Sequence, residues 1–105
     1  MSRSLRALDR SVRDELTFLY DVAESAGLRP RITSTRRTRA QQVRLYNRWL
    51  DGLQPYPVAR PGTSRHERGL AMDLVTTDNA ALGAWWRSEG GRWVGPKDPV
   101  HFDLG

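Results

Sequence analysis

Ser64-Arg65-His66-Glu67-Arg68-Gly69-Leu70-Ala71-Met72-Asp73 is the stretch on which the fold of this chain turns. From Gly69 onward it alternates: Leu70, Met72 and Leu74 take one side of an extended strand, and Gly69, Ala71, Asp73 and Val75 take the other. The first set is apolar and belongs against a core. The second sets one carboxylate beside two very small side chains, which leaves space above the strand for an ion and a substrate. His66-Glu67 opens an H-E-x-x-H pattern, but position 70 is Leu, so the helical zinc signature is excluded and Glu67 reads as a surface residue.

The chain has one other histidine, in Asp98-Pro99-Val100-His101-Phe102-Asp103. Val100, Phe102 and Leu104 alternate with His101, so burial of the apolar set turns His101 to the opposite face. There is no cysteine, so any metal must be held by His, Asp or Glu. Taken singly, each of these residues has an ordinary structural explanation, as a hydrogen-bonded histidine or an ion-paired aspartate. Together, His66, Asp73 and His101 can make the open three-ligand set of a catalytic zinc, with water in the fourth position. Asp98, three residues before His101 and set in a turn by Pro99, is the natural base for such a site.

Outward from these motifs, Leu5, Leu8, Val12, Leu16, Leu19 and Ala23 recur at helical spacing and predict one amphipathic helix over 4–26, stopped by Gly27 and Pro30. Residues 31–36 are β-prone. Thr38 with Gln41 spells a capping box ahead of a second helix of about a dozen residues, whose buried face is predicted to be Val43, Tyr46, Leu50 and Leu53. A Pro- and Gly-bearing loop follows. A third helix is expected over 79–89, begun by Thr77 or Asp78 and packing through Leu82, Trp85 and Trp86. A short strand near Trp93 and a last one at 100–104 close the chain. The pattern predicts one α+β domain over residues 1–105, a small mainly antiparallel sheet flanked by about three helices.

The net charge is +5, and 16 of the 17 cationic residues are arginine, which favours polyanionic partners: nucleic acid or the anionic polymers of a bacterial wall. Seven arginines fall between Arg29 and Arg48. The apolar face expected on the second helix argues against a continuous basic reader, so no nucleic-acid partner is expected. The first twenty residues hold no apolar core for a signal peptide, and nothing reaches the length of a membrane span. The expectation is a monomer made in the cytoplasm, without a membrane partner.

Three segments resemble a known family. Ser64 to Asp73 has the form S-x-H-x-x-G-x-A-x-D, Asp98 to Phe102 has the form D-x-x-H-F, and Ser34-Thr35-Arg36-Arg37 precedes Gln42 and Leu45-Tyr46 as S-x-x-R precedes Q-x-x-L-Y. In this order they resemble the D-alanyl-D-alanine carboxypeptidase and L-alanyl-D-glutamate endopeptidase family of zinc peptidases, which share the hedgehog/DD-peptidase fold. The resemblance covers about residues 30–104. It implies Zn2+ held by His66, Asp73 and His101, with Asp98 as catalytic acid/base. Arg37 would stabilise the oxyanion or hold a substrate carboxylate, Ser64 would line the substrate cleft, and Gln42 would support the Arg37 loop. The implied partner is the peptidoglycan stem peptide, alongside anionic wall polymers. Arg36 stands where relatives carry an aromatic. The stripped-down domain and the lack of an export signal favour the L-alanyl-D-glutamate endopeptidase, as in an endolysin or virion-associated lysin reaching the wall by holin-type release or particle delivery. The alternatives are a D-alanyl-D-alanine carboxypeptidase and a non-catalytic wall-binding module.

Overall fold

The computed structural model describes residues 1–105. Three strands, β1 (Arg31–Ser34), β2 (Ala71–Val75) and β3 (His101–Asp103), form one antiparallel sheet in the order β1-β2-β3. The alternating motif is therefore the middle strand. Ala71 pairs with Asp103, Met72 with Phe102 and Asp73 with His101. Directly opposed residues share a face. Met72 and Phe102 thus point into the core together, while Asp73 and His101 stand side by side on the other face. On the far edge, Ile32 pairs with Leu74, and a bulge then brings Ser34 opposite Asp73.

The apolar face is covered by α1 (Arg13–Ser25) and α3 (Asn79–Ser88). The core joins Leu8, Val12, Leu16, Leu19 and Ala23 to Met72, Leu74, Leu82, Trp86, Trp93 and Phe102. Full burial of a leucine or phenylalanine contributes about 1.5–3 kcal/mol, so these few side chains account for most of the cohesion between helices and sheet. Asp78 caps α3 through the Ala81 amide at 3.0 Å. Trp93 stacks on Phe102 with ring centres 6.5 Å apart, and its indole N–H donates to the Pro99 carbonyl. The strand expected near Trp93 shrinks to a single bridge between Arg92 and Asp103.

The first helix departs from expectation. Leu5–Ala7 is only a 3-10 turn, the chain is extended at Leu8, and α1 begins at Arg13. The break lies at Asp9, whose carboxylate accepts from the Ser11 amide and hydroxyl, a local arrangement that competes with helix. The Asp9 amide donates instead to the Gly69 carbonyl, and the Arg13 guanidinium ties down the carbonyls of Leu8 and Arg6. The apolar residues reach the core regardless.

The second helix, α2 (Arg39–Leu50), starts with the expected capping box, but its inner face is different. Val43, Leu50 and Leu53 are 38%, 61% and 63% exposed, and the one buried residue is Gln42. Tyr46 is half-buried beside Trp49. Gln42 and Leu45 turn inward, one position round from the predicted stripe, because Gln42 meets Arg37 and the Ala59 carbonyl there. Gln42 tolerates burial because both ends of its amide are bonded. The exposed Val43 and Leu50 also remove the premise on which a basic surface along this helix was discounted.

Gly83 lies where α3 crosses Trp93, and a methyl group there would overlap the indole. Gly83→Ala is therefore expected to destabilise by about 1–3 kcal/mol through overpacking. That is a fall of roughly 10 °C in the unfolding midpoint followed by circular dichroism. Helix propensity alone would move the midpoint upward.

Candidate active site

The polar face of the sheet forms the floor of a cleft of about 340 Å³. Asp73 is at its centre. Ser64 caps the short 3-10 turn Arg65–Arg68 by accepting from the His66 amide at 3.2 Å, and Gly69 leaves that turn with φ of 70°, a left-handed conformation that suits glycine. This turn swings His66 over the strand that it precedes. The imidazole is buried, with Nδ1 2.9 Å from the Thr35 carbonyl and Nε2 2.9 Å from Asp73 Oδ1. A carbonyl can only accept, so Nδ1 carries the proton and Nε2 is the nitrogen that faces the carboxylate.

The register of β2 and β3 brings the third group. His101 Nδ1 lies 3.6 Å from the same Asp73 Oδ1, and the two imidazoles meet edge to face with centres 5.2 Å apart. One donor atom from each of His66, Asp73 and His101 falls within 4.8 Å of the others. Two nitrogens and one oxygen with an open side suit a tetrahedral divalent ion that keeps one position for water, so the residues present fit zinc.

The electrostatics of the site centre on Asp73. Burial alone would raise the Asp73 carboxyl, but His66, His101 and the Arg37 guanidinium outweigh it and hold the group well below the usual carboxylate range. Burial likewise lowers His101, but hydrogen bonds with Asp103 and Asp73, and their charges, push it up to about 9. Asp98 lines the same cleft, in the turn whose amide and carbonyl bond Gly95 and His101. Burial, then the charge on Asp73, raises its carboxyl above the ordinary value, which favours a group that accepts and returns a proton.

The structure gives Arg37 a more inward position than a free clamp. Its Nε donates to Ser34 Oγ at 3.1 Å, Nη1 to Gln42 Oε1 at 3.3 Å and Nη2 to Asp73 Oδ2 at 2.7 Å. The bulge in β1 puts Ser34 in place for the first of these contacts. Gln42 passes its other end to the Ala59 carbonyl and so joins α2 and the cleft wall to Arg37. Arg36 points away from the cleft to the Ala7 carbonyl and packs on Gly69, so it fastens the N-terminal turn and forms no subsite wall. Glu67 is mostly covered; it pairs with Arg39 and accepts from the Gly62 amide, latching the loop to the His66 turn.

Two groups were missed by sequence reasoning. The Thr35 carbonyl orients His66, and the buried Asp103 carboxylate contacts His101 Nε2 at 2.6 Å. The signal for the second was present, because residues two apart on a strand share a face. The other cleft walls come from Leu45, Tyr56 and Val58 on one side and from Arg92, Val94 and Val100 on the other.

Two histidines and one aspartate on a three-stranded antiparallel sheet, with a second carboxylate lining the same cleft, make a candidate divalent-metal site. Residues 5–97 match the family described as VanY, D-alanyl-D-alanine carboxypeptidase, and the chain belongs to that family. Solved structures share the fold. The LdcB LD-carboxypeptidase aligns with a TM-score of 0.63 at 23% identity, over 91% of this chain and 58% of that one. The vancomycin-resistance D,D-pentapeptidase VanY, in complex with Zn(II), aligns with a TM-score of 0.67 at 23% identity, over 93% and 73%. DacB from Streptococcus pneumoniae D39 gives 0.66 at 23%, over 93% and 66%. The chain thus spans about six-tenths to three-quarters of the length of these three structures. No curated protein matches it in sequence.

Zinc added to the metal-free protein is expected to bind one ion per chain and raise the unfolding midpoint, since a ligand at 100 times its Kd adds about 2.7 kcal/mol. His66→Ala or Asp73→Ala should abolish the shift in differential scanning fluorimetry. An equal shift in both variants would place the ion elsewhere.

Proposed function

We propose that this chain is a zinc peptidase that hydrolyses the stem peptides of peptidoglycan. The observation that carries the reading is the convergence of His66, Asp73 and His101 on the floor of a cleft that Asp98 also lines. Zinc, when bound, supplies Lewis-acid polarisation of the scissile carbonyl and acidifies water. Asp98 takes the proton of the attacking water and returns it to the leaving amine. Arg37 holds Oδ2 of Asp73, which leaves Oδ1 for the ion, and its charge favours the negative charge that develops on the carbonyl oxygen. Ser64 and Gln42 fix the two walls between which the peptide lies.

Of the bonds in a stem peptide, the one between L-Ala and D-Glu is our first reading. All three nitrogens of Arg37 are engaged, and Arg65 and Arg92 are paired with Asp103. The Arg37 guanidinium is thus turned inward on Ser34, Gln42 and Asp73 and not toward a terminal carboxylate, which supports cleavage of an internal bond. The second reading, removal of the terminal D-Ala, is supported by the D-alanyl-D-alanine carboxypeptidase description of the family.

Digestion of purified peptidoglycan, with products identified by mass spectrometry, tests both. New amino termini at D-Glu support the first reading and loss of terminal D-Ala the second. Chelator should stop the reaction. Asp98→Ala should lower turnover by roughly 10²–10⁴-fold while zinc is still taken up. Absence of turnover on any stem peptide by the zinc-loaded protein overturns the proposal.

A further inference from the structure

Asp103 is fully buried. Its backbone is held from three directions. It pairs with Ala71 on β2, its carbonyl accepts from the Trp86 indole at 2.9 Å and from the Arg92 amide at 2.9 Å, and its own amide donates to the Arg92 carbonyl. The carboxylate is equally confined. Oδ1 accepts from the Gly105 amide at 2.7 Å. Oδ2 meets His101 Nε2 at 2.6 Å and Arg92 Nη1 at 2.7 Å, with Arg65 Nε at 3.6 Å. The small Ala71 opposite it leaves room on the polar face for this cluster.

The two arginines do not account for a buried carboxylate. Both side chains are substantially exposed, at 45% for Arg92 and 35% for Arg65, and water would solvate either one. Taking a carboxylate out of water costs several kcal/mol, and exposed ion pairs return little of it. The partner that gains from this placement is His101. A carboxylate only accepts, so Nε2 must carry the proton, and Nδ1 is then the nitrogen turned to Asp73 and the open side of the site. We propose that Asp103 is a positioning residue for the metal centre, holding His101 in the tautomer and ring orientation that present Nδ1 to the ion, with Arg92 and Gly105 fixing the carboxylate in turn. The proposal rests on the metal-site reading above. It assigns a function to the residue after D-x-x-H-F.

The test is zinc affinity, measured by competition with a chromogenic chelator, for Asp103→Asn in the wild-type and His101→Gln backgrounds. Asparagine keeps the volume and removes the charge. Zinc binding is expected to weaken about 10–100-fold in the wild-type background. In the His101→Gln background the same change should cost less than about twofold, because the residue acts through the imidazole. Equal losses in both backgrounds would show a merely structural role and overturn the proposal, as would an unchanged affinity. If Asp103→Asn does not fold, nitrogen-resolved NMR of the zinc-loaded wild-type protein decides. Nδ1 of His101 on the metal with Nε2 protonated supports the proposal, and the reverse assignment overturns it. A wild-type protein that binds no zinc overturns the site reading itself, whereas a zinc-binding wild-type with an indifferent Asp103 overturns this inference alone.

Discussion

Asp73 is a carboxylate almost wholly out of water on the middle strand of a three-stranded sheet, and the arrangement of the polar face follows from its need for compensating charge. Removing one partner from a buried ion pair costs about 3–5 kcal/mol, so each group around it is bound to the others energetically as well as spatially. Arg37 takes one oxygen; His66 and His101 converge on the other. The bulge in β1 serves the same end by bringing Ser34 across from Asp73, where its hydroxyl receives Arg37. The three donors that converge there are also placed to hold a cation.

Around this centre the support is layered. The N-terminal segment runs beside the Ser34–Arg37 stretch, with the Thr35 amide and hydroxyl bonded to the carbonyls of Ser2 and Ser4. That holds the Thr35 carbonyl where His66 needs it. The Asp9 amide and Arg36 meet at Gly69, where the chain turns from the His66 helix into β2. What resembles a departure from a helical pattern in the first dozen residues is therefore a strap across the back of the metal-binding turn. On the other side, α2 contributes Gln42 to the site and leaves Val43 and Leu50 in solvent. The helix is kept by its cap and by one buried amide more than by apolar burial.

The chemistry and the family agree at the level that each can reach. Membership in the VanY family and the sheet-borne donor set support the proposed hydrolysis of wall peptides. The bond chosen depends on the cleft walls, and these are made by the loop between α2 and the His66 turn and by the segment before β3. Tyr56 and Val58 come from the first of these and Arg92 and Val94 from the second.

Local pattern was enough for the middle strand, the third helix, the cap at Thr38 and the candidate ligands, because each depends on residues within a few positions of one another. Strand alternation placed Asp73 and His101 on polar faces before any pairing was known. Composition added that only two histidines and no thiol were available. What the tertiary structure alone decided was everything that needs a distant partner. The break at Asp9 requires the Gly69 carbonyl, and the phase of α2 requires Ala59 and Arg37 to satisfy Gln42. The inward engagement of Arg37 requires the register of β1 on β2, which a bulge of one residue resets. The burial of Asp103 requires Arg92, Trp86 and β2 around it. Periodicity reports which face a residue takes along its own element; which atoms wait on that face is settled only when the elements meet.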